Sequence, residues 1–294
     1  MAKTSFTGPV RSENGFKLIS KNTTSGLISE RTVHDLGIKD TRRYYLEEYF
    51  DLLPGINGDL ASTTESTNTP VSRQFEILGT NHTSALATYS ATVAGMAMTT
   101  ATADQDRMIV APHLDSKQGA WSGVKWGTEN QVHWECGIRT SSAIDNQWIW
   151  AGLKKTNVVE LATDTEQAFF TFGTDADNAG QSFTDFTKLH FVHSIGGTDY
   201  ISQLPITVAA STNYHLKIKF DSDRKVSIFV DGEQYNVTST SGSTGGTAVT
   251  KGTTKSGAMT NDVDLIPYIG IENCDAAAAV LNVQFEAISR LIFE

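Results

Sequence analysis

Between Gln131 and Arg139 the side chains alternate without a break. Val132, Trp134, Cys136 and Ile138 fall on one side, and His133, Glu135, Gly137 and Arg139 on the other. Only an extended chain has a two-residue period, so this stretch reads as a strand with one buried and one solvated face. The pattern recurs down the chain. Tyr214, Leu216, Ile218 and Phe220 alternate with His215, Lys217 and Lys219, and the turn Asp221-Ser222-Asp223-Arg224 leads into Val226, Ile228 and Val230. Leu281, Val283 and Phe285 mark a closing strand whose opposite face is expected to carry Asn282, Gln284 and Glu286. Segments 95–100, 107–110, 147–153, 167–172 and 188–193 read as further strands. Many short strands without a βα rhythm predict an all-β, antiparallel sandwich over 74–294.

The first quarter of the chain follows a different grammar. Residues 1–39 mix turn formers with short apolar pieces and are expected to form an extended N-terminal arm, anchored on neighbouring subunits by Phe6, Phe16, Leu18 and Ile19. From Asp40 to Leu53 the residues Leu46, Tyr49, Phe50 and Leu53 recur at helical spacing, with Pro54-Gly55 as a stop. This predicts one short helix whose apolar stripe also meets a partner. A Thr/Ser/Asn-rich linker completes segment 40–73. Segment 238–255 is nearly pure Thr, Ser, Gly and Lys and is expected to be a flexible surface loop.

Composition narrows the functional classes. The 294 residues carry 23 Lys and Arg against 33 Asp and Glu, a net charge of −10, and no basic stretch. That argues against a sequence-independent nucleic-acid binder. No apolar run reaches the ~18 residues of a membrane span, and the opening residues lack the apolar region of a secretory signal. Cys136 and Cys274 are too few for a disulfide framework or a metal cage. The 37 Thr and 25 Ser suit solvated strand faces and polar connections.

Three stretches resemble the concanavalin A-like lectin/glucanase sandwich. They are 130–153 with Trp134-Glu135-Cys136 and Trp150-Ala151-Gly152-Leu153, 213–235 with Val230-Asp231-Gly232, and 265–293 with Pro267-Tyr268-Ile269-Gly270-Ile271. The resemblance implies a jelly-roll fold and is nearly silent on function, because this fold hosts enzymes, lectins and shells. Separately, Met1-Ala2-Lys3-Thr4-Ser5-Phe6-Thr7-Gly8-Pro9-Val10, Tyr45-Leu46-Glu47-Glu48-Tyr49-Phe50, Phe75-Glu76-Ile77-Leu78-Gly79-Thr80-Asn81 and Trp126-Gly127-Thr128-Glu129-Asn130 resemble virion structural proteins of tailed phages, especially marine ones. That resemblance implies a virion component, foremost a capsid decoration or cement protein on the outer head surface. It would be made in the host cytoplasm, bind the major capsid protein or other virion subunits, and assemble as a homo-oligomer.

Catalytic signatures are absent from the sequence. The related glucanases place alternating acids on one strand so that two carboxylates face one cleft. Here Glu135 stands alone, with Gly137 at the position beside it. His190 and His193, three apart on a strand, face opposite sides, and Cys136 reads as a buried small hydrophobe. Asp175, Asp177 and Asn178, and again Asp221 and Asp223, place oxygen ligands close together in loops without completing a calcium motif. No catalytic residue, metal or cofactor is therefore expected. All five tryptophans lie between Trp121 and Trp150. Trp134, Trp148 and Trp150 sit in apolar rows, leaving Trp121 and Trp126 as a candidate sugar platform. The expected function is thus non-enzymatic and structural. The alternative is a carbohydrate-binding adsorption module of a tail or fibre, whose partner is a surface glycan.

Overall fold

The structure is a computed structural model describing residues 17–21, 28–32, 42–51, 53, 55–59, 75–81, 86–112, 126–155, 164–174 and 183–292. The chain divides into two compact units, Met1–Arg43 and Tyr44–Glu294. In the first, β1 (Lys17–Lys21) and β2 (Ile28–Thr32) form an antiparallel hairpin.

The second unit stacks two sheets. One runs in the order β17 (Thr247–Ala248), β13 (Thr198–Thr207), β12 (Lys188–Ile195), β11 (Gln167–Gly173), β10 (Gln147–Lys154), β18 (Ile266–Asn273), β8 (Arg107–Pro112), β5 (Phe75–Gly79) and β4 (Gly55–Asp59). The other runs β16 (Glu233–Tyr235), β15 (Val226–Val230), β14 (Asn213–Phe220), β9 (His133–Thr140), β19 (Val280–Leu291), β7 (Met96–Thr99) and β6 (Ala87–Tyr89), and β3 (Arg43–Glu48) pairs with β19 as its eighth strand. Along the two strand orders neighbours pair antiparallel except at the margins of the larger sheet, where β17 joins β13 and β4 joins β5 in parallel. The expected antiparallel sandwich is therefore the observed fold, and each predicted strand is present.

Alternation explains the core. Trp134, Cys136, Leu216, Ile218 and Ile228 from the eight-stranded sheet meet Ile149, Ala151, Phe170, Ile269 and Ile271 from the nine-stranded one, all buried. Burying such a side chain contributes ~1.5–3 kcal/mol, which makes this layer the main source of stability. A second apolar cluster covers the outer face of the nine-stranded sheet, where Trp148, Trp150, Phe169, Val192, Ile201 and Tyr268 pack together. Strand β10 is consequently buried along its whole length. Cross-strand glycines make room for its rings: Trp150 lies opposite Gly270 and Trp148 opposite Gly173. A Cβ on Gly270 would come within 2.5 Å of the Trp150 ring.

Four expectations need correction. The helix at 40–53 is instead strand β3. Leu46 is buried in the core, and Phe50 then takes φ 53°, a left-handed conformation that ends the element. Pairing with β19 has overridden a chance helical spacing, and Tyr44 and Tyr45 are residues that favour strands. Segment 40–73 is accordingly no separate connector, since β3 and β4 are strands of the two sheets; the linker 61–69 lies outside the described residues. The loop 238–255 is stitched to the sheet margin through β17 and through backbone bonds from Val237 to Thr254 and from Gly242 to Asp199. Finally, a β-bulge in the β19–β9 ladder between Val283 and Phe285 reverses the parity of the closing strand. Leu281 and Val283 point into the core as expected. Beyond the bulge Glu286 points inward and Phe285 outward, the reverse of the simple alternation.

Candidate functional site

The outward face of the eight-stranded sheet gathers aromatic and charged side chains at its centre. Register sets its centre: Lys217 on β14 lies opposite Glu135 on β9, and His215 lies opposite Gly137. Phe285 on β19 lies opposite Gly137 from the other side. Because Gly137 has no side chain, the Phe285 ring settles over it; a Cβ there would stand 2.7 Å from the ring. The His215 ring packs against Phe285 at 5.7 Å between centroids, and Tyr49 does so at 6.0 Å. Tyr49 is 62% exposed, which makes it one of three large hydrophobic side chains open to solvent among the described residues.

Beside these rings sits an ionic cluster. Glu135 Oε2 is 2.9 Å from His215 Nε2 and 3.2 Å from Lys217 Nζ. Burial pushes the Glu135 carboxyl up, but the His215 hydrogen bond and the Lys217 charge outweigh it and hold the group at about 2. At neutral pH Glu135 is thus a carboxylate and can only accept, so the facing Nε2 of His215 bears the hydrogen. Asp231 braces the far side, its Oδ1 accepting from the His215 backbone N–H at 2.9 Å. It stands in the Asp231-Gly232 turn between β15 and β16, where both residues have positive φ. The assembled patch offers ring faces, a fixed carboxylate acceptor and an ammonium donor on a rigid sheet.

The residues expected to form sites fare differently. Phe6, Phe16 and Trp121 lie outside the described residues, and Leu18 and Ile19 lie on β1 of the N-terminal unit. Of the supposed helix stripe, Leu46 and Phe50 are core residues, Leu53 is partly buried against the core, and only Tyr49 faces solvent. Trp126 is 5% exposed and packs against Tyr44, so it presents no open ring face for a sugar. Asp175, Asp177 and Asn178 lie outside the described residues. Asp221 instead accepts from the backbone N–H groups of Asp223 and Lys225 and from Lys255. His190 and His193 do face opposite sides, and both are buried. His190 stacks on Phe183 at 4.0 Å, and His193 on Tyr200 at 4.7 Å.

No family model matches the chain, and no curated protein is similar to it in sequence. Solved structures align over most of its length at low identity. A protein of unknown function from Shewanella oneidensis shares 12% identity over 92% of this chain and 97% of that one, with a TM-score of 0.48. The carbohydrate recognition domain of Emp47p shares 8% over 86% and 100%, with a TM-score of 0.47. The Crh5 transglycosylase shares 10% over 85% of each, with a TM-score of 0.46.

In the sequence Glu135 and His215 stand out only singly, and nothing there joins them into a patch. The signal available was Gly137, a small residue in an otherwise bulky strand, which marks a close approach from a neighbour. The register that brings Glu135, His215 and Lys217 together is not written in any one segment. Phe285 was hidden by the bulge.

Proposed function

We propose that this protein is a non-enzymatic carbohydrate-binding sandwich whose ligand lies across the outward face of the eight-stranded sheet. The observation that carries this reading is the solvent-open Tyr49 packed on the half-buried Phe285, set beside the Glu135–His215–Lys217 cluster. A sugar ring has an apolar face flanked by hydroxyls. Aromatic rings take the first, and fixed charged acceptors and donors take the second. The carboxylate that faces solvent is ionised far below neutral pH, which suits an acceptor and does not suit a general acid. The other carboxyl of the neighbouring strand, Glu286, lies inside the core, so the two do not flank a common cleft. Glycan-array binding that falls at least tenfold in Tyr49→Ala supports the reading. A blank array for the wild-type protein, or binding indifferent to Tyr49, counts against it.

The separate N-terminal unit favours a second reading, compatible with the first. Met1–Arg43 is compact by itself, as a segment that fastens the sandwich to a larger assembly would be. On the resemblance to phage virion proteins, that assembly would be a particle and the partner a capsid subunit. Proteomics of purified particles tests this: stoichiometric presence supports it, and absence removes it.

A further inference from the structure

The bulge in β19 joins the core to the binding face through two adjacent residues. Val283 lies opposite Ile138 and Phe285 opposite Gly137, so Gln284 and Phe285 together occupy the space of one residue. Gly95, with φ 103°, admits the distortion; a Cβ there would stand 2.2 Å from the Val283 carbonyl oxygen. On the inner side Glu286 is completely buried, and Trp134 Nε1–H donates to its Oε1 at 2.7 Å. Its Oε2 has no hydrogen-bond partner among the described residues.

The core layer that Glu286 enters is apolar in most of its side chains. β9 presents Trp134 and its cross-strand partner Cys136, a buried thiol pushed up by burial and by Glu286. The same core takes Leu46 and the partly buried Tyr44 from β3 and Met96 and Met98 from β7, and from the opposing sheet Met108, Val110, Ile269 and Ile271. Burial raises the Glu286 carboxyl to about 8, with the Trp134 bond opposing. A carboxyl so placed is tolerated while neutral and costly when ionised.

We propose that the neutral Glu286 carboxyl, held in the core under the Trp134 N–H, keeps the bulge where it places Phe285 on the binding face, and that ionisation there, with Oε2 given no hydrogen-bond partner, moves the bulge along the strand and withdraws Phe285. Shifting the extra residue from Gln284–Phe285 to Glu286–Ala287 leaves Val283 and Ile288 inward. It sends Glu286 outward and turns Phe285 in. That second register is the plain alternation of Leu281, Val283 and Phe285, so the strand encodes both. Glu286 is a positioning residue: it acts on the ligand through Phe285.

This switch rests on the binding reading only for its consequence, and its test needs no ligand. The probe is the nuclear Overhauser effect between Phe285 ring protons and Gly137 Hα, followed from pH 6 to pH 9.5 in the full chain. The wild-type signal is expected at pH 6 and should vanish with a midpoint near 8. In Glu286→Gln, which cannot ionise, it should persist throughout. A wild-type signal still present at pH 9.5 overturns the proposal, whether or not the variant folds. So does a Glu286→Gln signal that vanishes with the wild-type midpoint. A blank glycan array, together with a wild-type signal that vanishes as expected, would remove the binding reading and leave the bulge switch standing.

Discussion

The two outward faces of this sandwich use one packing device for opposite ends. On the nine-stranded sheet, Trp150 covers Gly270 and Trp148 covers Gly173, and both rings are sealed from water. Even the charges there are enclosed: Lys154 and Asp164 stand 3.6 Å apart with fully buried side chains. On the eight-stranded sheet Phe285 covers Gly137 in the same cross-strand manner, but beside it Tyr49 and His215 remain open to solvent. An aromatic over a glycine is therefore a local packing solution, and it marks a functional surface only where neighbouring groups stay wet. The first face adds to stability, and the second keeps its side chains in contact with water.

Removing one ring from each face puts that contrast at risk. Trp150→Ala should cost ~3–5 kcal/mol in urea denaturation, because a large buried ring leaves a cavity. A second test uses the core carboxyl. Glu286 has its carboxyl raised from 4.5 to about 8 in the folded protein. The folded state then binds more protons than the unfolded chain, so stability is full below about 4.5 and falls as pH rises toward 8. The full interval corresponds to ~5 kcal/mol. Between about pH 5 and 9 a loss of ~4 kcal/mol is expected, the part of that interval which ionisation near 8 leaves within the range. Glu286→Gln should flatten the profile.

Phe285→Ala should cost only ~1 kcal/mol, since the half-buried ring removes less surface from water, yet it should abolish glycan binding. A cost equal to that of Trp150→Ala would erase the distinction between the faces. The smallest effect belongs to the ionic cluster. Glu135→Gln should lose less than ~1 kcal/mol at neutral pH, as expected for a partly exposed pair, measured in a double-mutant cycle with Lys217→Met. Glu135 has its carboxyl lowered from 4.5 to about 2, so this contribution is present above about 4.5 and disappears as pH falls through 2. Wild type and variant should converge in acid.

Much of the scaffold is legible in the sequence, because a half-buried strand must alternate. Trp134, Cys136, Leu216 and Ile218 announce their inward face directly. The run Trp148-Ile149-Trp150-Ala151-Gly152-Leu153 also carries the mark of a strand buried on both faces, since it does not alternate at all. What fails are the places where tertiary pairing decides. Leu46, Tyr49, Phe50 and Leu53 match a helical period, and only the ladder with β19 shows that they are not one face of anything. At Phe285 and Glu286 the period-2 rule itself fails, because one extra residue exchanges inside and outside. The candidate site sits at that failure, which is why the sequence showed its members and not their meeting.

If the outward face of the eight-stranded sheet is where this protein binds sugar, a ligand must leave its imprint there and nowhere else. Isotope-labelled protein can be titrated with the strongest oligosaccharide from the glycan array while backbone and ring resonances are followed. Perturbations confined to Tyr49, Glu135, Gly137, His215, Lys217 and Phe285, with Trp148 and Trp150 unmoved, are the expected result. Perturbations centred on any other surface, with these six residues silent, would contradict it.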